Sequence, residues 1–554
     1  MRGIRSLLVT GLALTFCLST SMVEAKPRWP RVSWTGPTHT TLTVAWTDDA
    51  ASAGSAEVRP LSGAATSVTA AAASTGTSEL DATFVARFTG LSPSSSYEYR
   101  VQSAGTWSAW YPFKTAPAPG GCTPFRFVAG GDSRGEELPI VGYQPSRQFA
   151  DIMSSIAAQS PIFVLHTGDF VRTGDKADQW AEEMPALERV SKSIPYFMIM
   201  GNHDDGPGTG AAARFNSLLE YPADGPDKVD DYYSFVVGNV LLVGMSTYTY
   251  SFDAQIDWLK TLLVAHKTDV DWRVLFFHTP VWSSGAHGNN EGDKARAAKL
   301  VPILDEFGVD VVFHGHDHDY ERFHPSKGGW GGVPRVITPL PLDGGRRGVA
   351  NGTTYIVTGG AGALVNPTFS ASSTGSAKGS NHLHYVIADA NKDQLKLTVR
   401  DCGSQGLGGP SCSGDIEVVT LLKASTVCDP GGGDAGADAG GDALADGDVD
   451  AGADSATDGA ATTDSAADTT AEPDASADDT GSVDDATADD ATDRPPVPNE
   501  DVTDSGGCGC DIPGRSAPLG RALPLAGLSA LLLVVRRNRA GCARGRHHIR
   551  SRSA

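Results

Sequence analysis

Five short apolar runs in this chain each stop at residues able to bind a metal. They are FRFVAGGDSRG, PIFVLHTGDF, PYFMIMGNHDD, WRVLFFHTPVW and VDVVFHGHDHD. Apolar runs of this length read as buried strands, and helix-patterned stretches such as PSRQFADIMSSIAAQ and AQIDWLKTLLVAHK lie between them. Alternating strand and helix patterns predict an α/β sheet with its chemistry at the carboxyl ends of the strands. At those ends stand Asp132, Asp169, Asn202 with His203 and Asp204, His278, and His316 with His318. A single Asp after Gly is an ordinary turn residue, and a single His is ordinarily structural. Five such ends in one region, all oxygen or imidazole donors, point instead to a metal centre for hard or borderline ions. Two ions roughly 3.5–4 Å apart, sharing a carboxylate, form a clamp for phosphoryl transfer.

The rest of the chain frames this region. Residues 28–116 carry period-two alternation in RVSWTG, TLTVAWTD, ATFVARFTGL and YEYRVQSA, separated by Gly, Pro and Ser clusters, and predict an all-β sandwich. GLSPSSSYEYRV resembles the corner of fibronectin type III domains, where a tyrosine, here Tyr97, ties its hydroxyl back to the backbone. TAPAPGG (115–121) reads as a linker, and 122–428 as the metal-bearing domain, completed by late strands in TTYIVTGGAGAL and HYVIADANKDQLKLTVRD.

Charge is uneven. The net charge is -22, and residues 429–504 alone hold 23 acidic residues against one arginine. Rich in Ala, Asp, Gly, Ser and Thr and without aromatics, 429–507 is expected to be an extended, disordered linker. Calcium binding there would need a fixed ligand geometry that the pattern lacks. Residues 26–428 are mildly acidic with no basic patch, which argues against nucleic acid as a standing partner.

The ends suggest export. Arg2 and Arg5, the apolar SLLVTGLALTFCLSTS and the small-x-small VEA ending at Ala25 read as a signal peptide over 1–25. Cys17 follows the bulky Phe16, which disfavours lipoprotein processing. Export permits disulfides: Cys402 and Cys412 can close a short loop, and Cys122 and Cys428 are candidates for a second bridge, although four cysteines allow three pairings. In 508–554, CGCDIPG precedes ALPLAGLSALLLVV and RRNRAGCARGR. Its uncharged run of 14 residues is shorter than the roughly 20 of a spanning helix. This tail resembles the MYXO-CTERM sorting tail of myxobacterial surface proteins, which implies sorting machinery as a partner; a plain membrane anchor is the alternative. Both place the protein outside the cell, secreted or at the surface.

The strand-end series, in its order, resembles that of the calcineurin-like metallophosphoesterases. With the β-sandwich and GHDHDYER, the chain looks most like their purple acid phosphatase branch over about 28–428. The resemblance implies two β-sheets flanked by helices (αββα). It implies one metal on Asp132, Asp169 and His318, and a second on Asp169, Asn202, His278 and His316, with Asp169 bridging. His203 would contact the phosphate and His287 would protonate the leaving group. His314, Asp317, Tyr320 and Glu321 are read as packing or loop support, and Gly315 as room for the backbone to turn.

Two departures stand out. Arg134 occupies a place where many metallophosphoesterases have a metal-binding histidine, which fits the purple acid phosphatase branch. Arg172 occupies the place of that branch's tyrosine ligand, and arginine cannot ligate a metal. Of Fe, Zn and Mn, the expected pair therefore shifts toward Zn, Mn or ferrous iron, unless a phenol such as Tyr143 fills the gap. The expected activity is hydrolysis of a small phosphate monoester by an acidified water. A phosphodiesterase or nucleotidase on the same site, and a non-enzymatic surface adhesin, are the rivals.

Overall fold

The computed structural model describes residues 27–48, 54–61, 64–70, 72–74, 82–103, 105–204, 213–248, 251–288, 290–328, 347–349, 352–373, 375–406, 409–423, 425 and 427. All fall within one compact unit, Met1–Gly441. The expected signal segment, the acidic linker and the C-terminal tail lie outside the described residues, as does Cys428.

The N-terminal region folds as two antiparallel sheets. One runs Arg28–Ser33, Leu42–Asp48, Ala82–Phe88, Ala72–Ser74; the other runs Thr66–Ala70, Gly54–Pro60, Ser96–Ser103, Thr106–Trp107, with Tyr111–Lys114 also paired to Ser96–Ser103. Alternation sends Leu42, Val44 and Trp46 inward from one sheet and Tyr97, Tyr99 and Val101 from the other, forming a separate small core. The Tyr97 hydroxyl accepts the Ser92 N–H at 2.8 Å, the corner expected from the sequence.

The linker is not a free tether. Thr115 and Ala116 are fully buried, and the Gly120 N–H donates to the Gly238 carbonyl at 2.9 Å. The sandwich also reaches into the larger domain. Trp34 packs 5.6 Å from the Phe197 ring and 6.2 Å from Phe235, inside the larger core. The buried Arg31 Nε donates to the Leu218 carbonyl, and the Tyr99 hydroxyl donates to the Lys192 carbonyl at 2.7 Å.

The larger domain contains two seven-stranded sheets. In the first, Phe125–Gly130, Phe163–His166 and Tyr196–Met198 lie parallel, continued on the other side by Leu383–Ala390, Gln394–Gly403, Gly414–Leu422 and Arg347–Val349. In the second, Val240–Gly244, Trp272–Phe276, Val311–His314 and Thr354–Thr358 lie parallel, flanked by Tyr233–Val237 on one side and by Tyr320–Phe323 and Ser376–Ser380 on the other.

Parallel neighbours require crossovers, and helices supply them. Arg147–Ala158 joins the first two parallel strands of the first sheet, and Ala177–Ser191 joins the next pair. Phe252–Ala265 and Glu291–Phe307 do the same in the second sheet. The helix Arg147–Ala158 starts where the Ser146 hydroxyl accepts the Phe149 N–H, and it buries Phe149, Ile152, Met153 and Ile156, one stripe at helical spacing. Glu291–Phe307 starts at the Asn290 cap and stops at Gly308, whose φ of +63° only glycine adopts at little cost.

Register decides where the chemistry falls. Gly130 pairs with His166, and His166 with Met198; in the second sheet Phe276 pairs with Phe313. The parallel strands therefore end level, and the residues just past their ends emerge together.

Candidate metal centre

The first sheet delivers oxygen donors. Asp132 and Asp169 adopt φ of +58° and +57°, and the second sheet's His316 adopts +73°. Asp and His tolerate this left-handed region better than most residues, though it still costs on the order of 1–3 kcal/mol, and such strain clusters at functional sites. The turn at GHDH is thus made by His316. Gly315 serves a different need: a Cβ there would lie 2.3 Å from an Asp132 carboxylate oxygen.

The two carboxylate loops are tied to each other. The Asp132 N–H donates to the Gly168 carbonyl at 2.9 Å, and the Ser133 and Arg134 N–H groups both donate to the Asp169 carbonyl, at 3.0 and 3.1 Å. Asp204 braces the second loop, accepting N–H groups from Asp169, Phe170, Val171 and Gly201 at 2.7–3.0 Å. It faces backbone, not the donor cluster. Burial and the Asp169 charge push its pKa up to about 7, while its four N–H partners favour the ionised form.

His166, one strand position inward, is a support the sequence did not signal. Its Nδ1 accepts the Gly168 N–H at 3.2 Å, so its proton sits on Nε2, 3.0 Å from the Ser133 hydroxyl. Burial holds it neutral, with a pKa of about 3.

The second sheet delivers imidazoles. His278 and His318 each place Nδ1 against a backbone carbonyl, Thr167 at 2.8 Å and Leu364 at 2.7 Å. Both rings therefore carry the proton on Nδ1 and turn an Nε2 lone pair inward. The His316 N–H donates to both oxygens of Asp132 at 2.9 and 3.0 Å, which joins the two sheets' ends directly.

The inward atoms meet closely. His278 Nε2 lies 3.1 Å from Asn202 Oδ1, 3.1 Å from His316 Nδ1 and 3.3 Å from Asp169 Oδ1. His318 Nε2 lies 3.4 Å from Asp132 Oδ1. Ligand atoms of Asp132, Asp169 and His278, all buried, sit within 4.8 Å of one another. With the His278 proton committed to Thr167, its Nε2, the Asn202 oxygen and the Asp169 oxygen are all acceptors with no proton to share. A cation resolves that crowding of lone pairs, and carboxylate, amide and imidazole donors suit a divalent first-row ion. The donor set fits a metal. Asp169 itself is pushed up by burial, but His278, His203 and Arg134 hold it well below the usual carboxylate range.

Two further histidines flank the cluster. His203 places Nδ1 2.6 Å from the Arg172 carbonyl and Nε2 3.9 Å from Asp169 Oδ2, and burial lowers its pKa. His287 packs against His316 with ring centroids 3.9 Å apart and planes tilted by 40°, and its Nδ1 meets Asp317 Oδ1 at 2.8 Å. That hydrogen bond raises the His287 pKa. Asp317 therefore does more than support its loop: it accepts the Ser283 hydroxyl and fixes the ring and tautomer of His287. His314 is a packing residue, buried with its ring 4.5 Å from Phe277. Glu321 holds Ser284 at 2.6 Å, and Tyr320 donates to Glu417.

The phenol expected as a possible substitute ligand is committed elsewhere. The Tyr143 hydroxyl donates to Glu183 at 2.5 Å and accepts the Gly135 N–H at 3.0 Å. Arg172 pairs with Glu136 at 2.6 Å. Neither supplies a phenolate to the centre. Cys402 and Cys412 are bonded, as the short loop suggested, and Cys122 is also in a disulfide. Among the described residues no helix is long and apolar enough to cross a membrane.

Residues 131–320 match the family model described as calcineurin-like phosphoesterase, and 27–115 match the purple acid phosphatase N-terminal domain. An uncharacterised protein of Mycobacterium tuberculosis is 28% identical over 311 residues, covering 50% of this chain and 57% of that protein. Purple acid phosphatase 21 of Arabidopsis thaliana is 29% identical over 243 residues, covering 42% of this chain and 52% of the relative. The chain thus spans little more than half the length of these relatives. The purple acid phosphatase of yellow lupin seeds superposes with a TM-score of 0.60 at 21% identity, covering 74% of this chain and 78% of the lupin chain; the fold is shared.

Proposed function

We propose that this chain, which carries a purple acid phosphatase N-terminal domain followed by a calcineurin-like phosphoesterase domain, hydrolyses small phosphate monoesters at a two-metal centre. The observation that carries the reading is the crowding of ligand-capable atoms from Asp169, Asn202 and His316 within 3.1–3.3 Å of His278 Nε2. Asp132, Asp169 and His318 would hold one ion, and Asp169, Asn202, His278 and His316 the other. Bound there, the ions would supply Lewis acidity toward phosphate oxygens and acidify water. Without a phenolate from Tyr143 or at Arg172, the donor set suits Zn, Mn or ferrous iron better than a ferric ion.

The chain's own residues do the rest. His203, anchored through Nδ1 to the Arg172 carbonyl, presents Nε2 beside Asp169 to a bound phosphate. His287 keeps Nδ1–H on Asp317 and delivers a proton from Nε2 to the leaving oxygen. General acid catalysis of this kind contributes typically 10²–10⁴-fold. The signal-like N-terminus, acidic stretch and sorting-like tail support a further part of the proposal: the enzyme is exported and held at the cell surface by sorting machinery.

The test combines two measurements on one purified sample. Metal ions per chain are counted, and an aryl phosphate monoester is compared with the matching diester. About two ions and faster monoester turnover are expected. Faster diester turnover would move the activity to a phosphodiesterase, and no metal with no turnover would leave a surface protein without this chemistry.

A further inference from the structure

The Arg134 guanidinium stands at the metal centre with part of its hydrogen-bonding capacity unused. Its backbone is fixed to the bridging carboxylate's own residue, because the Arg134 N–H donates to the Asp169 carbonyl at 3.1 Å. Its Nη1 is held by Glu136 at 2.9 Å, and the second oxygen of Glu136 takes Arg172 at 2.6 Å. Its Nε lies 3.7 Å from Asp169 Oδ2, beyond hydrogen-bond reach, and this buried N–H has no acceptor. The side chain is only 10% exposed.

A guanidinium does not lose its proton, so this charge persists at every working pH. An unpaired, buried, charged donor is costly to keep. Asp169 feels this charge across 3.7 Å but accepts no hydrogen bond from Nε, and in the proposed centre that carboxylate is engaged by both ions. Glu136 balances part of this charge, but the Nε–H still lacks an acceptor that a bound anion could supply. His203 approaches the same oxygen, Asp169 Oδ2, at 3.9 Å, while His278 approaches Oδ1. Arg134 and His203 thus flank one side of the bridging carboxylate, and a guanidinium's planar fork suits a phosphate.

We propose that Arg134 is a substrate-binding residue whose Nε–H donates to a non-ester oxygen of the phosphoryl group, with Glu136 and Arg172 positioning the guanidinium. This rests on the phosphoesterase reading, which names the anion.

The experiment uses the metal-loaded protein and inorganic phosphate as probe. Phosphate binding is measured by calorimetry, and metal content by elemental analysis, for the natural chain, Arg134→Gln, Arg134→Lys and Glu136→Gln. Arg134→Gln is expected to keep both metals and to bind phosphate more weakly, on the order of tenfold to a hundredfold, the range for one charge-assisted hydrogen bond. Arg134→Lys, which keeps the charge without the fork, should lose less. Glu136→Gln, which leaves Arg134 in place but loosens it, should lose least. If the natural chain binds phosphate and both Arg134 variants bind it equally well, the assignment falls and the phosphoesterase reading stands. If both Arg134 variants lose metal, the residue supports the centre and the assignment is overturned. If the natural chain holds two metals but binds no phosphate, both readings fall together.

Discussion

The two ends that meet at the metal centre solve the same problem differently. The oxygen-bearing end fixes its carboxylates through its own backbone: Asp132 and Asp169 sit at left-handed corners, and their loops are tied by three main-chain hydrogen bonds and braced by Asp204. The imidazole-bearing end fixes its rings from outside. His278 is oriented by Thr167, which belongs to the oxygen-bearing end, and His318 by Leu364. A carboxylate on a short side chain points where its corner sends it; an imidazole has a ring and a tautomer to set, and needs a partner on its second nitrogen. The oxygen end therefore ties its own loops, while each end lends the other one contact: Thr167 orients His278, and the His316 N–H holds both Asp132 oxygens.

The sharpest way to break this asymmetry is Asp169→Ala. It removes the carboxylate expected to serve both ions and leaves the neighbouring histidines without their shared counter-charge. Turnover should fall by more than about 10³-fold, since the whole clamp is lost, and elemental analysis should find metal missing. Retained turnover with bound metal would refute a bridging role.

A smaller effect is expected on the imidazole side. His287→Ala should leave metal content unchanged and slow esters with poor leaving groups by about 10²–10⁴-fold, while activated aryl esters suffer less. Equal slowing of both ester classes, read from paired kcat values, would remove His287 as the acid.

The mildest probe concerns the support behind the oxygen end. Glu183 accepts the Gly135 and Ser146 N–H groups, and burial pushes its pKa up to about 7. A carboxyl raised in the folded state favours folding while protonated. Its contribution is complete below the unfolded value near 4.5 and is lost as pH rises toward 7. The shift corresponds to about 3 kcal/mol at most. Glu183→Gln should flatten the decline in stability between pH 5 and 7, measured by denaturant unfolding at both values. An unchanged decline would mean that Glu183 is ionised throughout.

Much of this site was legible in the chain because each candidate ligand follows an apolar run, and a strand's end is a local property. Asp132, Asp169, Asn202, His278, His316 and His318 could be found without knowing which strands are neighbours. Their supports could not. Asp317 meets His287 across 30 positions of sequence, and Glu183 meets Gly135 across 48. Asp204 looked like one more donor in GNHDD and turned out to face four backbone N–H groups. Arg134 was noticeable only as a place without a histidine. The partner of such a residue is set by register between strands distant in sequence. The Pro/Gly composition of 115–121 marked a linker, and for a similar reason composition does not reveal that Thr115 and Ala116 are buried.

Trp34 gives the sandwich a role that its lack of catalytic residues conceals. Its indole packs against Phe163, Phe197 and Phe235, the first two borne by the very strands that lead to Asp169 and Asn202. A gene trimmed to begin after the linker would encode a domain with an open aromatic socket where Trp34 had been, prone to self-association. The two pieces are thus tied by packing: the sandwich cannot be removed without uncovering the rings it seals.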